Sequence, residues 1–180
     1  PVVLTSVMSE YDTTTVDSDP LNVTAGGFNV RLQEEENEDG VHALETVGYI
    51  AIQSGGDANS CTADTFNNFD EVTRTDSLGD TFIDASVVAE TQTINGGDTA
   101  TVVIDGQSNS DVDLFLEEEQ SRDGEMGHVL ETVGIVAFED GLIVACLTPG
   151  AMIDPPEGPR AVEALKTGDL VSTYDNGAQP

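Results

Sequence analysis

The chain has 180 residues, enough to bury a core without metal or disulfide staples. Its 35 acidic residues face only five basic ones, for a net charge of −30. So little positive charge cannot neutralise a phosphate backbone, which excludes nucleic acid as a partner and disfavours an anionic membrane surface.

Self-repulsion on this scale falls with added salt or bound cations. The composition is that of secreted bacterial and halophilic proteins, so the expected location is extracellular or on the bacterial cell surface. No apolar run reaches the roughly 18 residues of a spanning helix, so membrane insertion is not expected. Cys61 and Cys146 could pair, but two cysteines make no disulfide framework. A proline at residue 1 leads straight into an apolar run with no signal peptide, and the chain reads as an internal fragment of a longer protein.

In chain order the signals are those of strands. Val2-Val3-Leu4 opens the first. Asn22-Val23-Thr24 fits a glycosylation sequon and is read as the turn before the next strand. There Phe28, Val30 and Leu32 alternate with Asn29, Arg31 and Gln33, the period of a strand with one buried face. Gly48-Tyr49-Ile50-Ala51-Ile52 is rich in strand formers and reads as a more fully buried strand. Later come Val112, Leu114 and Leu116 in alternation, then Gly134-Ile135-Val136-Ala137-Phe138. Turn pairs separate the runs, among them Gly26-Gly27, Asp39-Gly40, Asn95-Gly96 and Asp105-Gly106. No credible amphipathic helix occurs before residue 160.

The chain is written twice. Leu44-Glu45-Thr46-Val47-Gly48 recurs as Leu130-Glu131-Thr132-Val133-Gly134, and Leu32-Gln33-Glu34-Glu35-Glu36 as Leu116-Glu117-Glu118-Glu119-Gln120. Asp39-Gly40 matches Asp123-Gly124 and His42 matches His128, with two extra residues in the second copy. Val2-Val3 aligns with Val87-Val88. The expected class is all-β, with tandem antiparallel β-sandwich units. Residues 1–55 form the first, incomplete at its N-terminus; 56–141 hold linker strands and the second. The opening strands of the second are expected within Phe66–Ile83.

Each repeat carries an acidic turn with a histidine. The candidate cation ligands are Glu34, Glu36, Asp39, His42 and Glu45 in the first, and Glu117, Glu119, Asp123, His128 and Glu131 in the second. Several oxygens from one loop suit calcium; a histidine with two carboxylates would suit a transition metal. The competing reading is structural: edge glutamates keep a sheet soluble, and a histidine among carboxylates fixes a loop. No cofactor is required on either reading, and calcium is the candidate ion.

At Cys146-Leu147-Thr148-Pro149-Gly150, followed by Val162-Glu163, Gly168-Asp169-Leu170-Val171 and the hairpin signal Asp175-Asn176-Gly177, residues 142–180 resemble the opening of a Hint domain, the self-cleaving module of inteins and hedgehog proteins. The resemblance implies that the Cys146 thiolate attacks the carbonyl of Ala145, the scissile side, and turns the amide into a thioester. The family's Thr-x-x-His block and terminal His-Asn have no match here. The chain is therefore at most a self-cleaving module with an incomplete catalytic set, and the reaction is expected to stall in it. Separately, Pro1-Val2-Val3, then Asn22-Val23-Thr24 with Gly27-Phe28, then the Gly48–Ile52 run, resemble an H-type lectin domain. That implies a small sandwich that often trimerises and binds sugars such as N-acetylgalactosamine. The functional expectation is a binding or adhesion module joined to an autoprocessing domain, with carbohydrate or further copies of itself as partner and a homo-oligomeric state. The alternative is a structural subunit of a surface layer, filament or particle.

Overall fold

Alternation places Val112, Leu114 and Leu116 on one face of their strand, and all three are fully buried. The computed structural model describes residues 1–139, with strand backbones at 152–153 and 160–161. The chain divides into two compact units, Pro1–Leu142 and Ile143–Pro180. No α-helix occurs among the described residues, and none there is long and apolar enough to cross a membrane.

The first unit holds eleven strands: β1 (Val2–Val7), β2 (Val16–Thr24), β3 (Gly27–Glu34), β4 (Val47–Ile52), β5 (Gly55–Gly56), β6 (Cys61–Phe69), β7 (Arg74–Ser77), β8 (Ala85–Thr91), β9 (Ala100–Gln107), β10 (Asp111–Glu118) and β11 (Glu131–Glu139). In the second repeat β5-β6-β11-β8 form one antiparallel sheet and β7-β10-β9 another. Their inner faces meet in one core: Val112, Leu114 and Leu116 from β10, Val133, Ile135 and Ala137 from β11, closed by Phe69, Leu78 and Phe82. This is a β-sandwich.

The first repeat has the same central pairs and nothing more among the described residues. β1 pairs only with β4, and β2 only with β3. The counterparts of β6 and β7, which extend the sheets of the second repeat, have no equivalent here. This corrects one expectation. The run Gly134–Phe138 is buried on both faces, but Tyr49 and Ile50 are 63% and 56% exposed. The runs are alike; the strands needed to cover the first are not among the described residues. Val30, on the apolar face of β3, is 36% exposed for the same reason.

The pairings also correct an alignment. Val2 lies opposite Ile52 and Ser86 opposite Phe138; Val3 lies opposite Ala51 and Val87 opposite Ala137. Val3 thus corresponds to Val87, and matching Val2-Val3 to Val87-Val88 is one residue out, which exchanges the faces of the strand. Asn22 is not at the turn. It sits exposed in β2 at a break in register, with a left-handed φ of 55°.

The two repeats are joined by β1. Val2 packs with Val136 and Ala63 on the outer face of the four-stranded sheet, flanked by Leu4, Ile52 and Phe138. The buried Gln92 amide pairs with Val3 as a strand neighbour would: Val3 N donates to Oε1 at 2.9 Å and Nε2 donates to Val3 O at 2.8 Å. Gly134 faces this contact, and an added Cβ would come within 2.7 Å of Val2 and 2.8 Å of Gln92. Beside it, Thr5 donates to Glu90 through its backbone N–H (2.6 Å) and through its hydroxyl, and Thr91 donates to Asp19 at 2.6 Å.

Burial raises the Glu90 carboxyl from 4.5 to about 7, against the Thr5 hydrogen bonds and reinforced by Asp19 and Asp17. Burial likewise raises Asp19 from 3.8 to about 6, with Asp17 and Glu131 adding to the effect. A carboxyl with a raised folded pKa holds more protons folded than unfolded. It stabilises the fold below its unfolded pKa, and that stability is lost as pH rises through the folded value. Thermal melts at constant ionic strength should therefore fall between pH 5 and pH 8. Glu90→Gln should flatten that slope and melt several degrees above the wild type at pH 8; equal slopes in the two proteins would reject Glu90 as its source.

Candidate functional site

The doubled acidic turn folds into two closed clamps. In the first, His42 lies between the last residue of β3 and the residue before Thr46. Its Nδ1 is 3.2 Å from Glu34 Oε1 and its Nε2 is 3.3 Å from Glu45 Oε1. Thr14 donates its hydroxyl to Glu34 Oε1 at 2.7 Å and sits 2.9 Å from His42 Nδ1. Glu45 also accepts from the Ser9 hydroxyl (2.6 Å) and the Tyr11 and Asp12 backbones (2.7 and 3.1 Å). The Thr14 hydroxyl lowers the Glu34 carboxyl, and that of Ser9 lowers Glu45, His42 assisting both against desolvation.

The second clamp repeats the histidine and both glutamates, without a counterpart of the Thr14 hydroxyl among the described residues. His128 Nδ1 is 3.1 Å from Glu118 Oε1 and Nε2 is 3.5 Å from Glu131 Oε1. Glu131 accepts from the Thr93 hydroxyl (2.5 Å) and from the Asn95 and Gly96 backbones (2.5 and 3.0 Å). Thr132 N donates to Thr93 Oγ1 at 2.8 Å, as Thr46 N does to Ser9 Oγ at 2.6 Å. Hydrogen bonds that the His128 ring donates to Glu131, and then to Glu118, raise its pKa against the cost of burial. Burial works to raise Glu131, yet the donors from His128, Thr93, Asn95 and Gly96 hold it below the ordinary range. Gly96 is required at this point: a Cβ there would lie 2.8 Å from the His128 ring.

Of the residues singled out by sequence, the structure brings Glu34, His42 and Glu45 together, and His128 with Glu131. Glu36, Asp39, Glu117, Glu119 and Asp123 lie outside the clamps. The residue that completes the second is Glu118, the counterpart of Glu34. Alternation along β10 turns Glu117 outward and Glu118 inward, so the clamp takes the residue between the expected ligands Glu117 and Glu119. Aligning Leu32 with Leu116 is the signal that identifies it. Each clamp fills both histidine nitrogens with carboxylates, so neither ring offers a lone pair to a metal. They tie the end of β3 or β10 to the start of β4 or β11.

One atom in each clamp is left over. Glu34 Oε2 and Glu118 Oε2 are buried without a hydrogen-bond partner. Near the second, one ligand oxygen from each of Glu36, Asp98 and Glu118 lies within 4.8 Å of the others. A cleft of about 410 Å³ opens beside it between the repeats, lined by Thr15, Asp17, Gln33, Glu35, Thr101 and Glu117 among others.

Truncating His128 leaves Glu118 buried with no partner for either oxygen. His128→Ala should cost about 3 kcal/mol in denaturant unfolding, and adding Glu118→Gln should recover part of it. Additive losses in the double-mutant cycle would show that the two side chains do not interact.

Ala145, Cys146, Thr148-Pro149-Gly150, Val162-Glu163, Gly168–Val171 and Asp175–Gly177 lie outside the described residues. In the unit Ile143–Pro180 the described strands are β12 (Met152–Ile153) and β13 (Arg160–Ala161), which pair antiparallel. No solved structure matches the chain significantly. Among curated proteins, the chain is similar to Halomucin of Haloquadratum walsbyi, 31% identical over 186 residues covering 100% of this chain and 2% of that protein. The chain thus spans about 2% of the length of that relative. Residues 145–180 match the family model of the Hint domain, and this part of the chain is the N-terminal part of such a domain.

Proposed function

We propose that the β unit is an extracellular sandwich module whose release or transfer is carried out by the Hint domain that follows it. The supporting observation is the position of the Hint match, which opens at Ala145-Cys146, shortly after β11 completes the sandwich. In the complete domain the Cys146 thiol attacks the carbonyl carbon of Ala145. The C–S bond forms, the C–N bond breaks, and the thiol proton passes to the freed α-amine. A net charge of −30 and the likeness to a segment of Halomucin support an exterior rich in salt. The cleft between the repeats would be where a carbohydrate binds.

The test uses a longer chain that includes the rest of the Hint domain. With hydroxylamine or thiol, mass spectrometry should find a product ending at Ala145, and Cys146→Ala should abolish it. A wild-type precursor that stays whole would reject the processing role.

A second reading, a structural array, is favoured by the uncovered β3 and β4. The second repeat shows what such edges accept: β6 on β11 and β7 on β10. A preceding repeat supplying strands of that pattern would complete the first sandwich. A peptide of residues 56–84 should then bind the chain saturably and protect the β4 amides from hydrogen exchange. A monomer that ignores the peptide and binds glycans on an array would reject the array reading.

A further inference from the structure

We propose that Glu36, Asp98 and Glu118 form a calcium site that fastens the two repeats together. The three come from different elements: Glu36 follows β3 of the first repeat, Asp98 lies in the β8–β9 loop, and Glu118 ends β10. Their backbones are already cross-tied. Glu36 N donates to Glu119 Oε2 at 2.8 Å, Thr99 Oγ1 donates to Glu34 O at 2.6 Å, and Glu119 N donates to Thr99 O at 2.8 Å. A ligand cage held by its main chain loses little freedom on binding an ion.

Two independent observations point to a cation. The first is Glu118 itself, whose side chain is 3% exposed. His128 holds its Oε1, and Oε2 has no partner. A buried carboxylate oxygen without a donor is costly, and a metal ion removes the cost. The second is the comparison of the repeats. The residue matching Asp98 in the first repeat is Thr14, whose hydroxyl donates to Glu34, the match of Glu118. In the second repeat this donor is replaced by a carboxylate, which donates nothing when ionised. Glu36 adds a third negative group from across the repeat boundary. Its carboxyl is raised by burial and by Asp98, Asp123, Glu119 and Glu118, the mark of acids facing one another. Arg31 and Arg122 line the cleft of about 190 Å³ in front of Glu36 and Asp98, but among the described residues neither pairs with a carboxylate.

The donor set selects the ion. All three ligands are carboxylates and both His128 nitrogens are engaged, so a hard cation is favoured over zinc. The three oxygens lie within 4.8 Å of one another, close enough to share one calcium ion, which takes several protein oxygens in a flexible geometry; magnesium keeps most of its waters and is usually held by only one or two carboxylates. Asp98 is exposed and Glu118 buried, so the ion would enter from solvent onto a fixed base.

Chelator-stripped chain should take up one calcium in titration calorimetry at 0.5 M NaCl, with a rise in melting temperature of several degrees. Asp98→Thr, which copies Thr14, should weaken calcium at least tenfold and leave the ion-free protein as stable as the wild type or more so. Glu117→Gln, which removes an exposed charge on the same strand, should leave the affinity unchanged. Non-saturable binding, an equal calcium response in wild type and Asp98→Thr, or magnesium matching calcium would each overturn the site.

Discussion

The pairing of the Gln92 amide with the backbone of Val3 is the contact on which the arrangement of the β unit depends. Each two-stranded sheet of the first repeat would be marginal by itself. Its apolar residues Val2 and Val3 are nevertheless almost fully buried, because β1 lies on the outer face of the sheet that contains β11. Backbone polar groups brought under such a face must find partners, and a glutamine amide supplies a donor and an acceptor at once. β11 then has apolar neighbours on both sides: Val133, Ile135 and Ala137 in the sandwich core, Val136 beneath Val2. One strand thereby belongs to two cores.

Around this contact the clamps do a separate task. The residues between β3 and β4, and between β10 and β11, carry little apolar side chain to hold them. A buried histidine between two glutamates fixes both ends of each loop, and the hydroxyls of Ser9 and Thr93 and the backbones of Tyr11 and Asn95 complete the glutamate at the start of β4 or β11. The repeated Leu-Glu-Thr-Val-Gly can be read in these terms. Its glutamate is the clamp, its threonine N–H binds the hydroxyl that holds the clamp, and its glycine leaves room for the residue opposite: Met8 over Gly48 and Gln92 over Gly134.

Much of this was legible in the residues. The all-β class, the strands with alternating apolar positions and the doubled acidic turn follow from period and repetition. The opening strands of the second sandwich are expected within 66–83; β7 (Arg74–Ser77) lies there, while β6 (Cys61–Phe69) begins before that window. Three things were not legible. The exposure of β4 depends on strands that its own sequence does not mention; Tyr49-Ile50 reads like Ile135-Val136 until its neighbours are counted. Glu118 sits where the aligned repeats place Glu34, but with glutamates on either side only the burial of alternate residues along β10 singles it out. Asp98 carries no motif at all, since an aspartate after Gly96-Gly97 in so acidic a chain looks like solvated surface.

The differences between the repeats are as informative as their likeness. Where a residue serves its own clamp, the two agree in chemistry: Glu34 and Glu118, His42 and His128, Glu45 and Glu131, Ser9 and Thr93. Where it faces the other repeat, they diverge. Met8 is 71% exposed, while Gln92 in the same position is buried and binds Val3. Thr14 donates within its own clamp, while Asp98 turns a carboxylate toward Glu36. Gln120 stands where the first repeat has Glu36. A pair of identical repeats would place equal surfaces against each other and, in this composition, mostly like charges. Substitution at a few boundary positions instead gives the second repeat an amide for the Val3 backbone and a carboxylate beside Glu36. The boundary is thus specified by chemistry rather than by area, and in a chain of net charge −30 the calcium proposed above would relieve the repulsion among Glu36, Asp98 and Glu118.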